Sequence, residues 1–149
     1  MSNNTRFIYF GIEHAVATHD WIIDNSGGRH GLIDEGLLSS PLEMIKNDLY
    51  YPTIVEKLTH LVYSINKNHA FNDGNKRSSL ALGAYFLELN GYDYIVNYFI
   101  IEMENIAVWV ADNAISKELL SEIISDLINM LELSDKTKLK ILNCVSAHR

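Results

Sequence analysis

The sequence holds a single cysteine, Cys144, which excludes an intrachain disulfide and any cysteine-rich zinc site. It is also short of positive charge. Lys and Arg number 12 against 19 Asp and Glu, a net charge of −7, and this argues against a general nucleic-acid binder, whose phosphate contacts need clustered cations. No apolar run approaches the length that crosses a bilayer. The segment from Met1 to Arg6 is polar and leads into only a short apolar stretch, so no signal peptide is expected and the cytoplasm is the expected location. A Gly-x-x-x-x-Gly-Lys loop is missing as well. Four of the eight glycines fall between Asn25 and Leu38, but that segment follows a helical pattern rather than a strand and is not read as a phosphate loop.

What is present fits one globular domain. The 149 residues are 48% apolar and 21% charged, enough to bury most of the apolar surface in a single core. Helical periodicity runs through nearly the whole chain, with no internal repeat or low-complexity tract. Phe10 to Ile23 reads as a first helix carrying His14, His19 and Asp20, all three placed outside the functional site. Ser39 to Leu49 reads as a short second helix capped by Ser39 or Ser40, with Pro41 in its first turn. Thr53 to Lys67 is strongly periodic, with Ile54, Val55, Leu58, Leu61, Val62 and Ile65 on one stripe. Leu80 to Leu89 leaves hardly any polar face, so the segment 76–90 is expected as a central buried helix closed by Asn90 and Gly91. Tyr92 to Asn97 alternates weakly and suggests extended chain. Helices follow over Phe99 to Asn113, over Ser116 to Leu131 with Ser116 as cap, and over Ser134 to Val145. The expected fold class is all-α, a compact bundle around the central helix.

Chemistry concentrates between two of these helices, from His69 to Ser79. A helix entry leaves backbone N–H groups unpaired and carries partial positive charge, so it seats anions. Gly74 permits a positive φ or close backbone approach, and Asn75 is suited to cap the helix that follows. Lys76 and Arg77 add cations in the first turn, against the dipole, which makes sense if a polyanion such as a nucleotide phosphate chain binds there. Asp73 beside that seat suggests Mg²⁺, which takes one or two carboxylates together with phosphate oxygens. His69 can accept a proton near neutral pH. Phe71 reads as a core anchor for the loop. Each residue alone also fits a plain loop followed by a helix start. The concentration of all of them in so few positions is what points to an anion site.

The string from His69 through Phe71, Asp73, Gly74 and Asn75 to Arg77 resembles the His-x-Phe-x-Asp/Glu-Gly/Ala-Asn-x-Arg signature of the Fic/Doc (Fido) family, and Lys76 resembles its Doc branch, the death-on-curing toxins of bacterial toxin–antitoxin pairs. The similarity follows the order of segments from Ile12 to Ile128. It implies a Fido domain over residues 1–133, with 134–149 as a helix or tail outside it. It also implies an ATP- and Mg²⁺-dependent transfer onto a protein hydroxyl, with His69 as catalytic base and Asp73 holding the metal. Phe71, Asn72, Gly74, Asn75, Lys76 and Arg77 would form the nucleotide site. Family members that attach AMP usually have glycine at the position of Lys76 and a second arginine at that of Leu80. The Doc pattern implies instead transfer of the terminal phosphate, with elongation factor Tu as the implied target and a separate antitoxin as partner. AMP transfer, or a nucleotide- or antitoxin-binding module without catalysis, is the alternative. Family chains also carry a flap ahead of the motif, for which Lys46 to Pro52 is the candidate segment, a plain interhelical turn with two packed tyrosines being the alternative, and an arginine where this chain has Ile33. Some carry an inhibitory Ser/Thr-x-x-x-Glu-Gly/Asn helix, which the string from Ser39 to Glu43 matches only in part.

Overall fold

The structure is a computed structural model that describes residues 6–148. Those described residues form seven α-helices: α1 Ile12–Ser26, α2 Glu35–Met44, α3 Ile54–Asn68, α4 Asn75–Leu89, α5 Val96–Ala111, α6 Lys117–Met130 and α7 Asp135–Ala147. Among the described residues there is no strand, only an isolated bridge between Leu32 and Phe71. The fold is therefore the all-α bundle that the periodicity predicts.

At its centre α3 and α4 pack on each other, with α1 and α5 against α4 and with α2, α5 and α6 against α3. The apolar stripe of α3 supplies Leu58, Leu61, Val62 and Ile65 to the core, and α4 supplies Leu82, Phe86 and Leu87, all 2% exposed or less. α3 begins at a full capping box: the Thr53 hydroxyl accepts the Glu56 N–H, and the Glu56 carboxylate accepts the Thr53 N–H at 2.9 Å. The two central helices approach closely at Gly83, where a Cβ would lie 2.8 Å from Cγ2 of Val62.

Three local expectations are corrected. α2 starts at Glu35, capped by the Asp34 side chain on the Leu37 N–H, and not at Ser39 or Ser40. Pro41 consequently lies inside the helix, where it cannot donate to the carbonyl four residues back. That carbonyl, on Leu37, instead accepts the Asn68 side-chain amide from the end of α3 at 3.2 Å, so the break the proline would make is repaired from another helix. Tyr92 to Asn97 is not extended. Gly91, at φ 86°, turns the chain into a short 3-10 turn, Asp93–Ile95, that leads directly into α5 and buries Ile95. Finally, the chain between Lys46 and Pro52 sits at the start of α3, tied down by the buried Lys57, which donates to the Ile45 carbonyl and to Asp48 at 2.6 Å each. With 15 residues in α3, that places it roughly 20 Å from the helix end that carries the motif, too far to act as its flap.

Candidate active site

The site forms where α3 ends and α4 begins. α3 closes at His69, which takes the left-handed conformation, φ 52° and ψ 47°. That conformation is uncommon outside glycine, and held at a helix end it turns the imidazole off the core stripe. The ring is exposed and has no hydrogen-bond partner among the described residues. The next two residues return inward, with Ala70 2% and Phe71 1% exposed, so the loop is pinned through Phe71 as its sequence suggests.

Gly74 at φ 78° makes the turn into α4. Asn75 does not cap that helix. It lies in the first turn and folds its amide back on Phe71, accepting the Phe71 N–H at 3.2 Å and donating to the Phe71 carbonyl at 3.0 Å. This pair closes the loop on itself and leaves α4 without a side-chain cap, so the N–H groups of Asn75, Lys76 and Arg77 find no acceptor among the described residues. The first turn also contains no acidic side chain. A bare helix end of this kind attracts anions. Lys76 projects from it exposed, with no ion-pair partner among the described residues.

Asp73 sits beside the bare end. One carboxylate oxygen accepts the Gly74 N–H at 2.8 Å and the other the Arg29 N–H at 3.1 Å, while the Arg77 guanidinium stands 3.8 Å away. The Arg29 and Gly74 hydrogen bonds, and after them the charges of Arg77 and Arg29, hold its carboxyl below the usual range, so it is ionised in any ordinary buffer. The two oxygens keep lone pairs beyond those bonds. The described residues contain no group of three or more His, Cys, Asp or Glu side chains that could cage a metal, so a metal here would rest on Asp73 and on oxygens of a bound phosphate. The donor set fits Mg²⁺ in that manner, and the helix end fits the phosphates.

The glycine-rich segment, which its sequence does not mark as a phosphate loop, forms a strap over the motif. The Ile33 N–H donates to the Ala70 carbonyl at 2.7 Å and the Asn72 N–H to the Gly31 carbonyl at 2.9 Å, with the Asn72 amide reaching the His30 carbonyl at 3.1 Å. Two glycines permit this closeness. A Cβ at Gly28, φ 118°, would lie 2.7 Å from an Asp73 carboxylate oxygen, and one at Gly31, φ 127°, would overlap the Asn72 amide. Arg77 reaches the same strap, donating to the Ser26 hydroxyl at 2.7 Å and the Gly27 carbonyl at 2.9 Å. His30 ties the strap to α1 by pairing with Asp24 at 2.7 Å and Asp20 at 3.4 Å, and those carboxylates raise its pKa. Arg29, Lys76 and Arg77 thus gather three cations around one helix end in a chain whose net charge is −7. A cleft of about 400 Å³ opens beside Arg77, with Ser26 and Glu104 as its other polar lining and Ile22, Leu80, Ala81 and Ile100 as apolar wall.

His14 and Asp20 stay outside the site. His14 stacks on Tyr85 at 4.0 Å and Asp20 faces His30. His19 lies directly beneath the motif, 1% exposed. Its signal in the sequence is only its position on α1, two turns before the glycine pair.

Fold and site together define an all-α bundle whose central helix presents an uncapped, cation-rich end beside a motif carrying an exposed histidine and an ionised aspartate. The model of the Fic/DOC family matches residues 9–87, more than half of the chain, and the chain belongs to that family. It is similar to a protein named Toxin Doc from Mycolicibacterium smegmatis, with 32% identity over 89 residues, 57% of this chain and 68% of that one. It is similar also to a protein named Protein kinase doc from Escherichia phage P1, with 32% identity over 83 residues, 53% of this chain and 65% of the relative.

Proposed function

We propose that the chain is a Doc-like toxin that transfers the terminal phosphate of ATP to a hydroxyl of a protein, with Mg²⁺ at Asp73. The observation that carries this reading is the exposed, unpartnered imidazole of His69 held in a left-handed turn beside the uncapped end of α4. His69 takes the proton from an incoming Ser, Thr or Tyr hydroxyl. The free N–H groups of Asn75, Lys76 and Arg77 hold phosphate oxygens, with the Lys76 ammonium and the Arg77 guanidinium adding charge. Gly74 makes the positive-φ turn where a Cβ would crowd Ile23, His19 and Arg77, while Asn75, Phe71 and Asn72 act by shaping the loop. Mg²⁺, when bound, neutralises phosphate charge. Phosphoryl transfer asks chiefly for such positioning and charge stabilisation, with modest help from a base.

Lys76 and Leu80 favour phosphate over AMP. Lys76 fills and charges the space that glycine leaves open in AMP-attaching members, and Leu80 forms part of an apolar wall where those members have arginine. The name Protein kinase doc on one relative agrees with that direction. The proposed target is a translation elongation factor, elongation factor Tu, and the proposed partner a separate antitoxin covering the cleft, in keeping with the name of the other relative.

Incubating the protein with a bacterial lysate and ATP labelled separately at the terminal and the α phosphate tests the proposal. Label is expected on protein only from the terminal position, and mass spectrometry of the labelled band identifies the residue. Label from the α position alone would replace phosphate transfer with AMP transfer.

A further inference from the structure

His19 is buried in the middle of α1, yet one face and one edge of its ring are engaged by the motif loop more than 50 residues further on. Its ring lies flat against Phe71, centroids 3.7 Å apart and planes 2° from parallel. Its Nε2 lies 2.6 Å from the backbone carbonyl oxygen of Asp73. A carbonyl oxygen only accepts, so Nε2 carries a hydrogen and the imidazole donates. Nδ1 is 3.9 Å from the nearest Asp20 oxygen, beyond a hydrogen bond. The Asp73 carbonyl belongs to the peptide that joins the carboxylate residue to Gly74, the left-handed hinge into α4. Fixing that carbonyl fixes the plane of the Asp73–Gly74 peptide. It thereby fixes the Gly74 N–H that holds one carboxylate oxygen at 2.8 Å, and with it the direction in which the other lone pairs of Asp73 point.

We propose that His19 is a positioning residue for the metal- and phosphate-binding loop, in which Nε2–H clamps the Asp73 carbonyl while the ring stacks on Phe71. The proposal rests on the phosphate-handling reading of the same site and identifies a further residue that it requires. No side chain other than His19 donates to the Asp73 carbonyl among the described residues, and a ring of the same shape without a donor would keep the stack and lose the clamp. The physical logic is that of an outer-shell hydrogen bond that orients a ligand it does not itself replace. Losing such a bond costs roughly 10–100-fold in metal affinity.

The test compares His19→Phe, which keeps a flat ring, with His19→Gln, whose side-chain amide can reach the position of Nε2. Amide hydrogen exchange read by NMR reports the loop without any reaction. In His19→Phe the Gly74 and Arg29 amides should exchange at least roughly tenfold faster, while amides in the middle of α6 stay unchanged and His19→Gln lies near wild type. Titration of Mg²⁺ in the presence of a non-hydrolysable ATP analogue should show a matching loss of roughly tenfold or more in Mg²⁺ affinity for the Phe variant, largely restored in the Gln variant. Should the Phe variant fail to fold, the ring nitrogens of His19 in wild-type protein carry the decision, because ¹⁵N spectra must show Nε2 carrying a hydrogen. The opposite tautomer, or Gly74 and Arg29 exchange within twofold of wild type in His19→Phe, would overturn the proposal. Loss of phosphate transfer by the wild-type protein with these exchange shifts intact would instead overturn the functional reading and leave the clamp standing.

Discussion

The spacing of α3 and α4 sets the distance between His69 and the bare helix end, and Gly83 is the residue on which that spacing turns. Replacing it with alanine places a Cβ 2.8 Å from Cγ2 of Val62 and 3.4 Å from Leu58 and Phe99. Val62 is 1% exposed, and a β-branched side chain in a helix has no second comfortable rotamer, so the strain falls on the helix spacing. Overpacking of this kind costs about 1–3 kcal/mol. Helix propensity returns about 1 kcal/mol on exchanging Gly for Ala, so the net expectation for Gly83→Ala is a loss of about 1 kcal/mol. Val62→Ala alone removes two buried carbons and should cost about 2 kcal/mol. In the double variant the new methyl enters the space that Val62 vacates, so the two losses should fall short of their sum by about 1 kcal/mol, a coupling typical of residues in contact. Urea unfolding of the four proteins measures this. Transfer by Gly83→Ala should fall more than its stability does, because a misplacement of about 1 Å near reacting groups costs up to about a hundredfold. A Gly83→Ala protein as stable and as active as wild type, with stabilities additive to within about 0.3 kcal/mol in the double variant, would refute the reasoning.

Other outcomes follow from the same contacts. Asn75→Ala opens the bidentate link to Phe71 and leaves the buried Phe71 N–H unpaired, so it should cost about 2 kcal/mol in urea unfolding and loosen the motif loop in hydrogen exchange; an unchanged Phe71 amide would contradict this. Lys57→Ala removes a fully buried ammonium from two 2.6 Å hydrogen bonds and should cost about 3 kcal/mol, whereas Asp48→Ala, whose side chain is 71% exposed and replaceable by water, should cost about 1 kcal/mol, and the reverse order would be incompatible with the geometry. His60 is pushed down to about 4, by burial first and by the Lys117 charge second. Its unfolded form titrates near 6.5, so between those values the unfolded chain binds the extra proton and stability falls as pH falls. About 2 kcal/mol should be lost from pH 7 to pH 4.5, and a His60→Gln variant that loses as much over the same range would remove His60 as the cause.

Much of this was legible in the sequence because its cause is local. The stripe of α3 and that of α6 follow from spacing alone, and the buried α4 follows from the absence of a polar face. The string from His69 to Arg77 carries its own chemistry. What was missed depends on contacts between distant positions. Ser39, Ser40 and Pro41 read as a helix start, but Asp34 caps earlier and Asn68, 31 residues beyond Leu37, bonds the Leu37 carbonyl that the proline leaves free. Asn75 has the chemistry of a cap and uses it on Phe71, because the positive φ of Gly74 puts the asparagine inside the helix rather than ahead of it. The connection before α3 is the family's candidate flap, yet the segment that pairs with the motif is the strap around Gly31, about 40 residues upstream of it, and only the glycine pair and Gly31 hint that backbone approaches closely there. His19 gave no local sign of stacking under Phe71.

The central claim is a division of labour, with binding at the α4 end and proton removal by His69. The direct measurement is a pair of readings on His69→Ala, the affinity for ATP with Mg²⁺ by calorimetry and the rate of terminal-phosphate transfer to protein. The account predicts affinity within about threefold of wild type and a transfer rate at least about a hundredfold lower, the contribution expected of a positioned base. Transfer at the wild-type rate, or a loss that lies wholly in nucleotide affinity, would contradict it.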